Sequence, residues 1–215
     1  MRYGDRLADY DRDPVLVRDL LAHMGVDPPF VPGKPFRSPV SSGGSAPGDP
    51  TGQTVPTSGT VYRNKHGIFK YRQNNPSGEI RRYTLAQLYA AYTSGRPIED
   101  FGSLQSVSMA TWKIRMLLQL ARIPHPHIEL PALPSSAPPH ARDAYDGSVL
   151  LLECRYAYSG RLSPAPYTYR WAERWVPMPF DRARRGIIWL KEHGYLVAAG
   201  KECGTTLYLP PLPQT

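Results

Sequence analysis

Apolar positions in the last third of the chain recur with a helical period and then give way to two short β-rich runs. Over 181–193, Ala183, Ile187 and Leu190 fall on one face, and Arg182, Arg185 and Trp189 on another. Asp181 is expected to cap the amino end by accepting from free N–H groups of the first turn. Gly194 is expected to close the carboxyl end in the left-handed conformation. Residues 195–198 and Thr205–Leu209 read as strands around a Gly-Lys-Glu-Cys-Gly turn. Upstream, 141–158 predicts a long helix striped by Tyr145, Val149, Leu152 and Tyr156 and stopped by Gly160. A second helix, 167–175, precedes the turn Val-Pro-Met-Pro-Phe.

The amino-terminal half alternates period types. Residues 14–24 predict a short helix with Asp13 as N-cap and Pro14 at the first helical position. Its stripe of Val17, Leu20, Leu21 and Met24, ended by Gly25, is too short to stand alone and must dock. Residues 61–63 and 68–72 predict strands joined by Asn64-Lys65-His66-Gly67. A further turn over 73–78 leads into a strand at 79–83. Thr84 and Gln87 form a capping box for a helix with Leu85, Leu88, Tyr89 and Tyr92 on its apolar face and Gly95 as its stop. A helix over 108–121 directs Trp112, Met116, Leu117 and Leu120 to a core and Lys113, Arg115 and Arg122 outward.

Proline and glycine, 24 and 18 of 215 residues, cluster between these runs and divide the chain. The division is a helical segment at 1–32, a Gly/Pro/Ser linker at 33–60, an α+β module at 61–123, a proline-rich connector at 124–137, a helical and hairpin domain at 138–210 and a tail at 211–215. The fold class is therefore α+β: a small ribbon-like sheet with helices, linked to a carboxyl-terminal helix, helix, turn, helix and hairpin.

Charge sharpens the picture. The net charge of +8 is distributed as −2 over 1–32, +1 over 33–60, +6 over 61–130 and +3 over 138–210. A basic middle and carboxyl half point to a polyanionic partner. No apolar run approaches the roughly 18 residues of a membrane span, and the amino terminus has no leader pattern. No membrane partner and a cytoplasmic location are expected. The two cysteines, Cys154 and Cys203, read as reduced thiols. Paired carboxylates, a Ser-His-Asp order, a phosphate loop and a zinc signature are all missing, so no enzyme and no cofactor are expected. His125 and His127 have no third ligand near them in sequence, and no metal is expected there.

Two groups of residues are candidates for nucleic-acid contact. The strands interleave Arg63, Lys65, Lys70, Arg72, Arg81 and Arg82 with Tyr62, Phe69, Tyr71 and Tyr83. Cations can track phosphates while rings stack on unpaired bases. The same alternation would also arise in a half-buried strand, with rings in a core and cations in water. Arg63, Lys65, Lys70, Arg72 and Tyr71 are the candidates here. In the carboxyl-terminal domain, Arg182, Arg184 and Arg185 follow Asp181 in the first turn, where cations are mildly unfavourable but free N–H groups favour an anion. Lys201 would join them from the hairpin.

The order of elements over 138–210 resembles the winged helix-turn-helix family. That implies a helix in the major groove and a hairpin along the backbone. Residues 14–122 resemble a degenerate form of the zinc-ribbon domain of bacterial-type DNA primases and related phage and plasmid replication proteins. The similar stretches are the leading helix, Lys-Pro-Phe-Arg-Ser-Pro at 34–39, Val-Tyr-Arg-Asn-Lys-His-Gly-Ile-Phe-Lys-Tyr-Arg at 61–72, and Ser-Gly-Glu at 77–79. The family's cysteines have no counterpart near Pro35, Phe36 or Phe69, so the resemblance implies the architecture and the replication context but no zinc. Together these imply a primase-like, non-catalytic DNA-binding protein, for duplex or single strand, with replication proteins as further partners. The alternative is a winged-helix interaction module or transcriptional regulator that recruits a replication partner.

Overall fold

Alternation along Phe69–Asn74 organises the amino-terminal unit: Phe69, Tyr71 and Gln73 are buried, and Lys70, Arg72 and Asn74 are half-buried. In the computed structural model this segment is β3. Described are residues 6–27, 29–40, 58–74, 80–104, 106–176, 178–202 and 204–211, with the side chains of 106 and 107 left aside. The short helices α1, Leu7–Tyr10, and α2, Pro14–His23, precede the sheet. β3 pairs antiparallel with β2, Ser58–Arg63, and with β4, Ile80–Tyr83, while β1, Phe36–Arg37, lies outside β2. The fold is α+β.

The sheet's inner face packs on α3, Leu85–Ser94. Gly59 makes room there, because a Cβ would lie 2.7 Å from the Tyr71 ring and hydroxyl. The capping box forms as expected: Thr84 Oγ1 accepts from Gln87 N–H at 3.1 Å, and Gln87 Oε1 accepts from Thr84 N–H at 2.7 Å. Gly95 follows in the left-handed region at φ 64°. Gln87 is buried and also donates to the Phe101 carbonyl at 2.8 Å. Thr84→Ala should therefore lower stability by about 1 kcal/mol. Gln87→Ala should lower it further, because the Phe101 carbonyl loses its donor. Thermal melts of the full chain check the order of the two effects.

A short 3-10 helix, Ile98–Phe101, leads to α4, Ser106–Gln119. Trp112 lies edge-on to Tyr89 and Phe101 in the core beneath. α2 has the expected cap, with Asp13 accepting from Val15 N–H at 2.8 Å. Its stripe is buried, and the amino-terminal segment is tied to the rest of the unit. Arg122 Nη2 reaches Asp13 at 2.7 Å, Lys113 Nζ reaches Asp11 at 2.5 Å, and Phe69 N–H donates to the Asp11 carbonyl at 2.8 Å.

Three expectations change here. Phe36–Arg37 and Ser58–Thr60, read as linker, are strand: Phe36 pairs with Gly59 and Arg37 with Ser58. Residues 41–57 of that linker, 75–78 of the second turn and position 79 of the strand after it lie outside the described residues. Lys113, expected to face water, is 7% exposed, because the segment carrying Asp11 covers it. Tyr92 is 37% exposed, at the rim of its apolar face, where its hydroxyl donates to the His23 carbonyl.

Chain contacts divide the molecule into Gly4–Ile123 and Pro124–Thr215. The second unit contains α5, Pro139–Ser159, α6, Tyr169–Trp175, α7, Phe180–Glu192, and the hairpin β5, Val197–Glu202, with β6, Thr205–Leu209. Between α5 and α6, Ala165 exchanges two backbone hydrogen bonds with Tyr208, at 3.0 and 2.8 Å, adding a bridge beside the hairpin. α5 and α7 meet at Gly186, whose Cβ position is 2.3 Å from the His140 carbonyl oxygen. Tyr167 Oη donates to the Ala144 carbonyl at 2.7 Å.

α7 begins two residues earlier than expected, which moves Arg184 and Arg185 out of the first turn and into the second. Its N-cap is Pro179, with no side-chain cap, and Asp181 sits inside the first turn, where its charge suits the helix dipole. At the other end Gly194, at φ 76°, closes the helix: Gly194 N–H donates to the Lys191 carbonyl and Tyr195 N–H to the Leu190 carbonyl. The first hairpin strand runs to Glu202, beyond the predicted turn start, with a register shift between Ala198 and Lys201. The proline-rich connector is fastened at its end. Tyr145 Oη donates to the Pro131 carbonyl at 2.6 Å and Arg142 Nε to the Ala137 carbonyl at 3.0 Å. Cys154 is buried in α5; Cys203 and 212–215 lie outside the described residues. Among the described residues no helix is long and apolar enough to cross a membrane.

Candidate nucleic-acid interface

The antiparallel register sorts the strand residues onto two faces. Thr60 is opposite Arg72, Tyr62 opposite Lys70, and Arg72 opposite Arg82. Arg37 joins this set opposite Ser58. Side chains directly opposite share a face, so Arg37, Lys70, Arg72 and Arg82 lie with Tyr62 on the side away from α3. No carboxylate of the described residues pairs with these four cations. Arg72 directly opposite Arg82 is a like-charge pair, an arrangement that destabilises a sheet.

Tyr71 points the other way and is corrected as a stacking residue. It is fully buried, its hydroxyl donates to Ser38 Oγ at 2.8 Å, and burial pushes its phenol up to about 12. Arg63 is engaged within the fold. Its guanidinium lies 5.3 Å from the Phe69 ring centroid, Nε donates to the Gly67 carbonyl at 3.0 Å, and Nη2 reaches the Arg12 carbonyl. Lys65 is exposed in the turn at the end of the sheet. Of the strand candidates, the fold brings Lys70 and Arg72 together and adds Arg37, Tyr62 and Arg82. Period-two counting along β2 and β3 could have paired Tyr62 with Lys70; Arg37 and Arg82 required the register.

In the second unit, Arg184 and Arg185 are exposed on α7 and Lys201 is exposed on β5. Arg182 is held in a short ion pair with Asp143 of α5, a partner not among the nearby acids of its own helix. Asp181 and Glu192 are also exposed on α7, so its outward side carries both signs. Trp189 stacks on His193 at 4.0 Å between centroids and lies parallel to Tyr195 at 6.0 Å. Lys191 Nζ lies over the Tyr208 ring at 4.3 Å, which fastens the hairpin to α7.

Among the described residues no group of three His, Cys, Asp or Glu side chains is placed to hold a metal ion. His125 faces Glu153 at 3.6 Å and His127 faces Glu129 at 3.9 Å. The chain matches no family model, no curated protein and no solved structure.

Proposed function

We propose that the protein is a non-enzymatic nucleic-acid-binding protein with DNA as its ligand, an accessory of a replication system of the phage or plasmid type. One observation carries the reading: the outer face of the four-stranded sheet gathers Arg37, Lys70, Arg72 and Arg82 around Tyr62 without a described carboxylate partner. Opposed arginines make poor sheet pairs, and a phosphate chain would convert their repulsion into two contacts. The replication setting rests on the resemblance of 14–122 to the primase ribbon. For the second unit we read a winged helix, supported by the order α5, bridge, α6, α7, hairpin and by the Ala165–Tyr208 bridge.

A second reading has its own support. α7 presents mixed charge, and Phe180 and Val197 are 40% and 47% exposed. These favour protein contacts for the winged helix while the sheet binds nucleic acid.

Fluorescence anisotropy with single-stranded and duplex oligonucleotides across a salt series tests both. Binding should weaken steeply with salt, by about 0.9 in log–log slope per duplex phosphate contact and about 0.7 per single-strand contact. Replacing Arg184 and Arg185 by alanine should flatten the duplex slope by up to two such contacts. An unchanged slope would assign α7 to protein contacts. No binding at low salt would end the nucleic-acid reading.

A further inference from the structure

Thr60, Arg72 and Arg82 stand in a row across three strands, each directly opposite the next. Thr60 is 1% exposed and its Oγ1 has no hydrogen-bond partner; the buried Nε of Arg72 has none either. Buried polar atoms in folded proteins almost always find partners. Here two unsatisfied ones face each other on the one face of the sheet that gathers cations. Both can donate, through O–H and N–H, and neither donor finds an acceptor within the fold. An anionic oxygen would accept from both and would also separate the opposed charges of Arg72 and Arg82.

From this geometry we infer that Thr60, Arg72 and Arg82 form a seat for a backbone phosphodiester of single-stranded nucleic acid, with Tyr62 stacking on a neighbouring base. The inference rests on the proposed function and names the form of the ligand. Tyr62 is two residues from Thr60 along β2, about 7 Å away on the same face. A ring beside a phosphate seat suits a strand whose bases are unpaired, since a duplex hides its base faces. No described carboxylate holds the side chains of Lys70, Arg72 and Arg82, so their charged heads can turn toward an arriving phosphate.

The test uses the full chain, a labelled short oligothymidine, a duplex of equal length and inorganic phosphate as competitor. Thr60→Val keeps the shape and removes only the hydroxyl. It should bind oligothymidine about tenfold more weakly, with a melting temperature equal to or above the parent's, because an unpaired buried hydroxyl is gone. Arg82→Gln should flatten the single-strand salt slope by about 0.7. In the unmodified protein, the Arg72 Nε–H resonance should shift on adding oligothymidine, a readout that needs no variant. Thr60→Val binding like the parent, a silent Arg72 resonance, preference for the duplex, or displacement by inorganic phosphate at equal concentration each overturns the seat alone. Failure of the parent to bind any oligonucleotide overturns the seat and the nucleic-acid reading together.

Discussion

Gly186→Ala should lower the stability of the second unit by about 3 kcal/mol, or roughly 10–20 °C in melting temperature. On an isolated helix the same change would help, by about 1 kcal/mol. Tertiary contact reverses the sign. The added Cβ would lie 2.3 Å from the His140 carbonyl oxygen, 3.1 Å from its carbon and 2.7 Å from Ala144 Cβ. Two of these three atoms are backbone, so no rotamer change relieves the overlap, and α5 and α7 must move apart. Separation would loosen the buried contacts of Ile187 and Leu190 and reorient Arg184 and Arg185. Gly194→Ala is the comparison: nothing lies within 4 Å of its Cβ position, and only its left-handed φ of 76° opposes the change. It should cost about 1 kcal/mol. Tryptophan fluorescence suits the measurement, because Trp171, Trp175 and Trp189, three of the four tryptophans, are in this unit. A Gly186→Ala protein that melts with or above the parent would show that the helices do not approach this closely.

Asp11→Ala should lower the stability of the first unit by about 3 kcal/mol, the scale for stranding one member of a buried ion pair. Lys113 is 7% exposed and its ammonium lies 2.5 Å from Asp11. Lys113→Met should cost much less, since it removes the buried charge and leaves Asp11, whose side chain is 23% exposed, in contact with water. Acidity distinguishes the pair from simple packing. Burial, as the largest influence, lowers the Lys113 ammonium below the ordinary lysine value of 10.5, while the attraction of Asp11 opposes the shift. The unfolded chain then holds this proton more tightly than the folded one. Stability should rise as pH climbs through the lowered value toward 10.5 and level off above it. Below the lowered value the burden of the buried charge is fully present. Lys113→Met should lose this rise, and Asp11→Ala should extend it to lower pH. Denaturant unfolding at a series of alkaline pH values reads the slope. An identical slope in Lys113→Met would refute the assignment.

The candidate surface was legible in kind but not in membership. Alternation in 69–74 announced two faces, yet both faces carry tyrosine and arginine, and periodicity does not say which is covered. Phe36 and α3 cover the Tyr71 side, which leaves Tyr62 with Lys70, Arg72 and Arg82 on the other. β1 was invisible because two residues have no period, and Phe36–Arg37 become strand only by pairing with 58–59. Lys113 and Arg182 looked solvent-facing by helical position. Their partners, Asp11 and Asp143, come from elsewhere in the chain, 102 and 39 residues away.

What the sequence by itself determined are features settled within a turn or two of chain. These are the Asp13 cap with Pro14, the Thr84–Gln87 box, and the left-handed stops at Gly95, Gly160 and Gly194. Each depends on backbone groups that neighbouring residues satisfy or release, so local residue types suffice. Tertiary structure alone decided the register that sets Arg72 against Arg82, the close approach at Gly186, and the burial of Lys113. Those depend on which distant segment arrives at a given face. Burial and charge pairing are properties of that encounter, not of either segment alone.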